Sequence, residues 1–338
     1  MKKLLIVLVL FALLVSLASC GDKGNEKKNP KEDVVLSVVM PDGAPALAMS
    51  MIMSREENKS FEFSVVDSST IATYVSGDKP KADVCILPVN LAAKLLGSGE
   101  VYRLLGTVTH GNLFLLSQNT EIEYDKDNLS QLVGKTVGVI QLANVPGLTF
   151  KSVLNKYGIP WVEMGNGDEV AADKVNLKAL TDASEVIPNG GCDVYLAPEP
   201  AASLKVSKTP LAFVGNLQTL YGGSNGYPQA VIVAKKSVID AYPELISSLK
   251  KDLSDTSAWL LADSTDPDVI VDAIAKFATP GMTPSLNKNN LSKDAVRNSG
   301  VWFTPSSDCK EEIVAFLQSV MEINPASAAV PADVFFEN

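Results

Sequence analysis

Histidine, cysteine and arginine are scarce in this chain. It has one histidine, His110, and four cysteines in 338 residues. Arginine occurs only at Arg55, Arg103 and Arg297. A Ser-His-Asp or Cys-His catalytic set would have to use His110, which lies in Thr107-Val108-Thr109-His110-Gly111, apart from every cysteine. The cysteines show no C-x-x-C spacing, so no structural zinc site and no metal is expected. Cys85 sits in a Val-Cys-Ile-Leu run and reads as a small hydrophobe; Cys192 and Cys309 stand alone, with no disulfide framework. No G-x-x-x-x-G-K-[ST] loop occurs, which excludes nucleotide hydrolysis by that route. The formal charge of −10 argues against nucleic acid or an anionic membrane surface as the main partner. No cofactor is expected.

What is present begins with an apolar leader. Lys2 and Lys3 precede residues 4–18, which are apolar apart from Ser16, and Ser19-Cys20-Gly21 follows. This is the pattern of a secretory signal peptide over 1–19. The run falls short of the ~20 apolar residues that a membrane span needs. The junction Leu17-Ala18-Ser19-Cys20 resembles the bacterial lipobox, where cleavage precedes a lipid-modified cysteine; an ordinary signal peptide that happens to hold a cysteine is the alternative. The resemblance implies that Cys20 is the acylated first residue of the mature protein. Loss of Lys2 and Lys3 takes the formal charge from −10 to −12. Residues 21–31 carry no apolar side chain, so 20–32 reads as a lipidated cysteine and flexible tether. The expected location is outside the cytoplasm, anchored on the outer face of a bacterial cytoplasmic membrane or in the periplasm. About 300 residues remain, enough for two domains.

Those residues contain a repeat. Residues 34–40 are apolar and β-branched, Pro41-Asp42-Gly43 breaks the run, and Pro45 stands where a first helical residue needs no N–H. Pro45-x-Leu47 returns as Pro146-x-Leu148, 101 residues on. Asp83-Val84, Pro88 and Ala92 return as Asp193-Val194, Pro198 and Ala202, 110 residues on. A Ser/Thr/Asp cluster lies between the motifs each time, at 67–70 and 181–184. Each region reads as alternating strands and helices, hence a parallel sheet with right-handed crossovers. Residues 107–112 read as a connection between strands, and 142–147 as a loop. Beyond a strand at 228–236 the remainder reads as helices, including 243–261 with Ile246, Leu249, Leu253 and Leu260 inward. The expected lobes are 33–118 plus 229–338 and 119–228, with the chain crossing near 117–120 and returning near 225–229. Two crossing strands make a hinge, and a hinge makes a cleft.

Several stretches resemble the substrate-binding lipoproteins of ABC importers, in the branch of sulfonate, nitrate and thiamine-pyrimidine (SsuA/THI5-like) binding proteins. They are Pro41-Asp42-Gly43-Ala44-Pro45, residues 82–88 (A-D-V-C-I-L-P), residues 132–139 (L-V-G-K-T-V-G-V), residues 192–201 (C-D-V-Y-L-A-P-E-P-A), and Asn324-Pro325 with residues 331–336 (P-A-D-V-F-F). Ala328-Ala329 stands where the family's tail usually has a Gly-Gly-like pair. The resemblance implies an α/β, two-lobed, type II periplasmic-binding-protein-like fold. It also implies capture of a small solute between the lobes and delivery to an ABC permease driven by a separate ATPase.

In parallel sheets ligands meet the carboxyl ends of strands. The candidate ligand residues are therefore Asp42, Gly43, Ala44, Ser68, Ser69, Asn90 and His110 in lobe one. Gln141, Asn144, Val145 and Glu199 are the candidates in lobe two, with Asn225 and Tyr227 on the returning crossing. Backbone N–H groups at Gly43-Ala44 and Asn144-Val145 suit an oxyanion or a carbonyl. No Arg or Lys falls in these loops, whereas Asp42, Asp182 and Glu199 do, so a neutral or amine-bearing solute such as a pyrimidine fits better than a dianion. Asp182 reads first as a helix cap. Tyr221 and Tyr227 are the expected ring-stacking residues, and Trp161, Trp259 and Trp302 the structural ones. A monomeric transport receptor without catalytic residues accounts for these features. An enzyme of pyrimidine or menaquinone type on the same fold and a surface receptor that does not transport are the alternatives.

Overall fold

The computed structural model describes residues 34–55, 59–223 and 225–337. The expected signal peptide at 1–19, the tether at 20–32 and Cys20 lie outside the described residues. Twelve strands follow one another among the described residues: β1 (Leu36–Pro41), β2 (Phe61–Val66), β3 (Val84–Pro88), β4 (Tyr102–His110), β5 (Leu113–Ser117), β6 (Thr136–Ile140), β7 (Trp161–Met164), β8 (Val175–Leu180), β9 (Val194–Pro198), β10 (Ala212–Asn216), β11 (Pro228–Lys235) and β12 (Val301–Pro305). They form two six-stranded sheets, ordered β12-β4-β11-β3-β1-β2 and β10-β5-β9-β6-β8-β7.

The repeated motifs occupy equivalent places in the two sheets. β1 pairs in parallel with β2 and β3, and β6 with β8 and β9. The repeated aspartate makes the same clasp in each. The Ser37 N–H donates to Asp83 Oδ2 at 3.0 Å, and the Thr136 N–H to Asp193 Oδ2 at 2.8 Å. Each aspartate's own N–H returns to the same residue, Asp83 to Ser37 O and Asp193 to Thr136 O, both at 2.9 Å. A carboxylate thereby satisfies a backbone donor near the start of the middle strand of each parallel trio, β3-β1-β2 and β9-β6-β8. The repeated prolines sit in the first turn of helices Ala44–Met53 and Val145–Lys156, and Ala92 and Ala202 are both fully buried.

The crossings exchange strands between the sheets. β4 pairs with β11 and β12, whereas β5, two residues later, pairs with β9 and β10. The first crossing is therefore Gly111-Asn112 and not 117–120, which moves Leu113–Ser117 into the second sheet. Residues 107–110, expected as a connection, extend β4 because neighbouring strands on both sides take up their backbone groups. The return runs from helix Leu217–Tyr221 to β11. In each sheet the antiparallel strand beside the parallel set is the one that has just crossed over.

The helix expected to start after residue 147 begins at Val145. β12 interrupts the helical tail expected after 236; four of its five residues are half-buried, so it carries no alternating pattern to read. The long helix Pro243–Leu261 matches expectation, with Ile246, Leu249, Leu253 and Leu260 buried. The final helix, Ser306–Ile323, buries Ile313, Phe316, Leu317 and Val320 and packs on both β4 and helix Val145–Lys156. One apolar cluster consequently runs through both sheets, from Val39, Leu104 and Val231 through Phe316 and Phe150 to Val137, Leu115 and Leu196. Burying a side chain such as Phe316 contributes about 1.5–3 kcal/mol.

Candidate functional site

Strand ends and crossings bring the expected residues to one region of each sheet, in unequal states. Asp42 follows β1; its N–H donates to Val66 O at 3.0 Å. Its Oδ2 accepts the Ser285 N–H at 2.7 Å, while its buried Oδ1 has no partner. Gly43 has φ of 89°, a left-handed value that suits glycine, and its carbonyl accepts the Ala46 and Leu47 N–H groups. Ala44 opens the helix and is buried. This loop is thus tied to the segment around Ser285.

Ser68 and Ser69 are exposed, and Ser69 donates through its N–H and hydroxyl to Asp67 Oδ1, closing the turn before helix Ala72–Val75. These bonds hold the Asp67 carboxyl below its usual range. Asn90 donates its side-chain amide to Ser327 O at 3.0 Å, so the C-terminal tail takes that donor. In the second sheet Gln141 and Asn144 are exposed and Val145 is buried. Gln141 has φ of 55°, and the Asn144 N–H donates to Gln141 O. The Asn144 N–H proposed for a ligand is therefore already used. Asp182 Oδ1 accepts the Ser184 N–H at 2.7 Å, a turn cap.

The polar density lies at the crossing. Glu199 is 3% exposed. Its Oε1 accepts from the Ser203 hydroxyl (2.7 Å) and Asn298 Nδ2 (3.3 Å), and its Oε2 accepts the Ser203 N–H (3.0 Å). Both oxygens are thus occupied by protein donors. Burial pushes the carboxyl above its ordinary value, and the donors from Ser203 and Asn298 act against that rise. Its N–H donates to Asn112 O at 2.9 Å. Asn298 belongs to the region around the first sheet and Glu199 to the second, so this bond spans the two. Asn112, 2% exposed, keeps Oδ1 without a partner.

His110 is 1% exposed at the end of β4. Its ring stacks on Trp302 with centroids 3.9 Å apart and planes 9° apart, and Nε2 lies 3.2 Å from Thr304 Oγ1. Burial drives the imidazole down to about 3, so it is neutral at physiological pH. Tyr227 faces inward. It is buried, stacks on Phe316 (5.9 Å, 15°) and meets Tyr221 edge-on at 5.4 Å. Neither of its ring faces is left for a solute, contrary to the expected stacking role. Asn225 is half-buried on the return crossing. A separate groove of about 490 Å³ lies between helices Val145–Lys156 and Ser306–Ile323, walled by Tyr221, Lys156, Glu312 and Ser319.

Asn112, Ser203, Asn298 and Trp302 were not among the expected residues. Asn112 is not legible in the sequence, because residues 107–112 read as a connection within one lobe and the expected crossing lies near 117–120. Asn298-Ser299-Gly300 has turn composition ahead of an apolar Val-Trp-Phe run, a signal for the strand that carries Trp302. Among the described residues no group of three or more His, Cys, Asp or Glu side chains is arranged to hold a metal, and no helix is long and apolar enough to cross a membrane.

No family model matches the chain, and no curated protein does. Solved structures match it along most of its length. An ABC transporter structure from Parabacteroides distasonis shares 16% identity over 90% of this chain and 99% of that one, with a TM-score of 0.67. The periplasmic aliphatic sulphonate binding protein SsuA from Escherichia coli shares 13% over 90% and 92%, with a TM-score of 0.61. The ligand binding component of an ABC-type import system from Staphylococcus aureus, determined with zinc bound, shares 12% over 90% and 97%, with a TM-score of 0.55. The chain therefore has the two-lobed periplasmic-binding-protein-like fold. Its structural neighbours are ABC-transporter and SsuA-type binding proteins, in line with the resemblance of its motifs.

Proposed function

We propose that this protein is an extracytoplasmic solute-binding lipoprotein of an ABC importer. It captures a small organic molecule between its lobes and hands it to a membrane permease powered by a separate ATPase. The observation that carries the reading is the strand exchange at Gly111-Asn112 and again between Tyr221 and Pro228, so that the chain passes between the two parallel sets only at these two crossings, while the sets pack on each other through helices Val145–Lys156 and Ser306–Ile323. That connectivity permits hinged closure on a solute. The named neighbours from importers support it.

The lobes are taken as residues 35–110 with 228–337, and residues 113–221, flanking the two crossings. Lipid attachment at Cys20 holds the body to the membrane, and the tether gives it reach. The protein works as a monomer and turns nothing over. His110, its only imidazole, is buried, neutral and stacked on Trp302, a poor setting for a general base. The ligand-facing set comprises the strand-end loops around Asp42–Ala44, Ser68-Ser69 and Gln141–Val145, with the crossing. Arg55 pairs with Asp252, and Arg297 with Asp294. None of the loops carries a cation, so an uncharged or amine-bearing solute is favoured over a dianion.

Mass spectrometry of small molecules released on denaturing the purified protein tests this directly. One organic solute near one equivalent per chain is expected, and adding it back should raise the melting temperature. Release of sulfate, phosphate or nitrate would overturn the charge reading. Turnover of the released compound would overturn the receptor reading.

A further inference from the structure

The strip from Asn298 to Trp302 is held against the crossing and reaches the second lobe. Asn298 Nδ2 bonds Glu199 Oε1 across the lobes. The His110 N–H donates to Gly300 O at 2.8 Å. Gly300 packs so tightly that an added Cβ would stand 2.7 Å from the His110 and Gly111 carbonyl oxygens. Trp302 follows two residues later, at the crossing end of β12. Its indole is part-exposed, whereas the imidazole stacked on it is buried. His110 thus backs the indole, and its contact with Thr304 Oγ1 fixes the ring plane.

We propose that Trp302 is the ring-stacking wall of the solute site and that the solute carries a planar, electron-poor or amine-bearing ring. This rests on the solute-capture reading. Tryptophan offers the largest electron-rich face among side chains, and it attracts cationic or electron-poor partners. A backing imidazolium would draw down that face; the neutral imidazole leaves it rich. The other rings of the crossing are spent elsewhere, since Tyr227 and Tyr221 pack on each other and on Phe316. Glu199 is spent as well, because both its oxygens hold Ser203 and Asn298. It acts as a positioning residue for the strip and not as a solute contact.

Intrinsic fluorescence tests this. The chain has three tryptophans, so Trp302→Phe leaves Trp161 and Trp259 as references. The solute released from the denatured protein, together with cytosine, benzamidine and taurine as defined probes, is titrated into wild type, Trp302→Phe and Trp302→Ala. A ring-bearing solute should quench wild-type fluorescence, and the quench should vanish in Trp302→Phe. Its affinity should fall about tenfold in Trp302→Ala, the scale of one ring stack. Unchanged thermal unfolding of Trp302→Phe establishes that the variant is folded. An acyclic released solute, or taurine binding without a fluorescence change, would overturn ring stacking and leave solute capture standing. Equal ring affinity in wild type and Trp302→Ala would do the same. A protein that releases no solute and binds none of the probes would overturn both readings.

Discussion

His110 shows how one residue's environment decides its chemistry. In sequence it is the only candidate for imidazole catalysis; in the fold it is a neutral ring packed between β4 and Trp302. Because it is unique, its ring resonances report a single site. They should stay flat from pH 8 to 4.5 in an NMR titration, and a midpoint near the usual 6.5 would contradict the buried, neutral assignment. The linkage has a definite sign. The folded ring titrates near 3 and the unfolded one near 6.5, so the unfolded chain binds the extra proton between those values. Stability therefore falls as pH drops from 6.5 toward 3, on the order of 1 kcal/mol per unit. Glu199 runs the other way: its raised value means that its contribution is lost as pH rises above the ordinary carboxyl range. Urea unfolding of wild type against His110→Gln separates them, because only the His110 slope should disappear in the variant. Gly111 offers a second residue-scale test. A Cβ there would stand 2.4 Å from the Tyr227 ring and 2.7 Å from Gln218. Gly111→Ala should cost about 1–3 kcal/mol by overpacking, measured as a lower urea midpoint.

At the scale of elements, the repeat was legible because it is held by local chemistry. Asp83 and Asp193 stand at the starts of β3 and β9 and clasp the N–H that begins β1 and β6. Asp193→Ala should cost about 1 kcal/mol in urea unfolding by leaving the Thr136 N–H without its acceptor. Asp83→Ala should cost more, since Lys235 also bonds Asp83 at 3.0 Å. Equal or negligible costs would mean that the repeated aspartates are incidental. Elements whose pairing partners lie far away in the chain are not legible in the same way. Residues 107–110 carry threonines and histidine and read as a connection, yet β11 and β12 pair with them as strand. β12 is half-buried on both faces and lacks any alternation. The same holds for the site: in the sequence Trp302 reads as structural because no alternating pattern marks its strand, and Tyr227 reads as available because the ring that covers it, Phe316, lies nearly ninety residues on.

At the scale of the whole molecule, the two sheets share one apolar cluster through helices Val145–Lys156 and Ser306–Ile323. Shared burial couples the lobes, so unfolding should be a single transition. Trp161 reports the second sheet and Trp302 the first. In a Trp259→Phe background, which removes the tryptophan of helix Pro243–Leu261, further Trp161→Phe and Trp302→Phe variants should therefore give the same urea midpoint when fluorescence is compared with circular dichroism. Separated midpoints would show that the lobes fold independently. The sequence by itself determined the doubled α/β plan, the long amphipathic helices, the acidic balance and the lack of phosphate-loop and metal-ligand patterns. These rest on periodicity, turn residues and composition, which act over a few neighbouring residues. Only the tertiary structure decided where the chain crosses, which aromatic rings are buried, and that Glu199 is consumed by Ser203 and Asn298. Those outcomes depend mostly on groups that meet from parts of the chain about ninety or more residues apart, and no local pattern encodes such meetings.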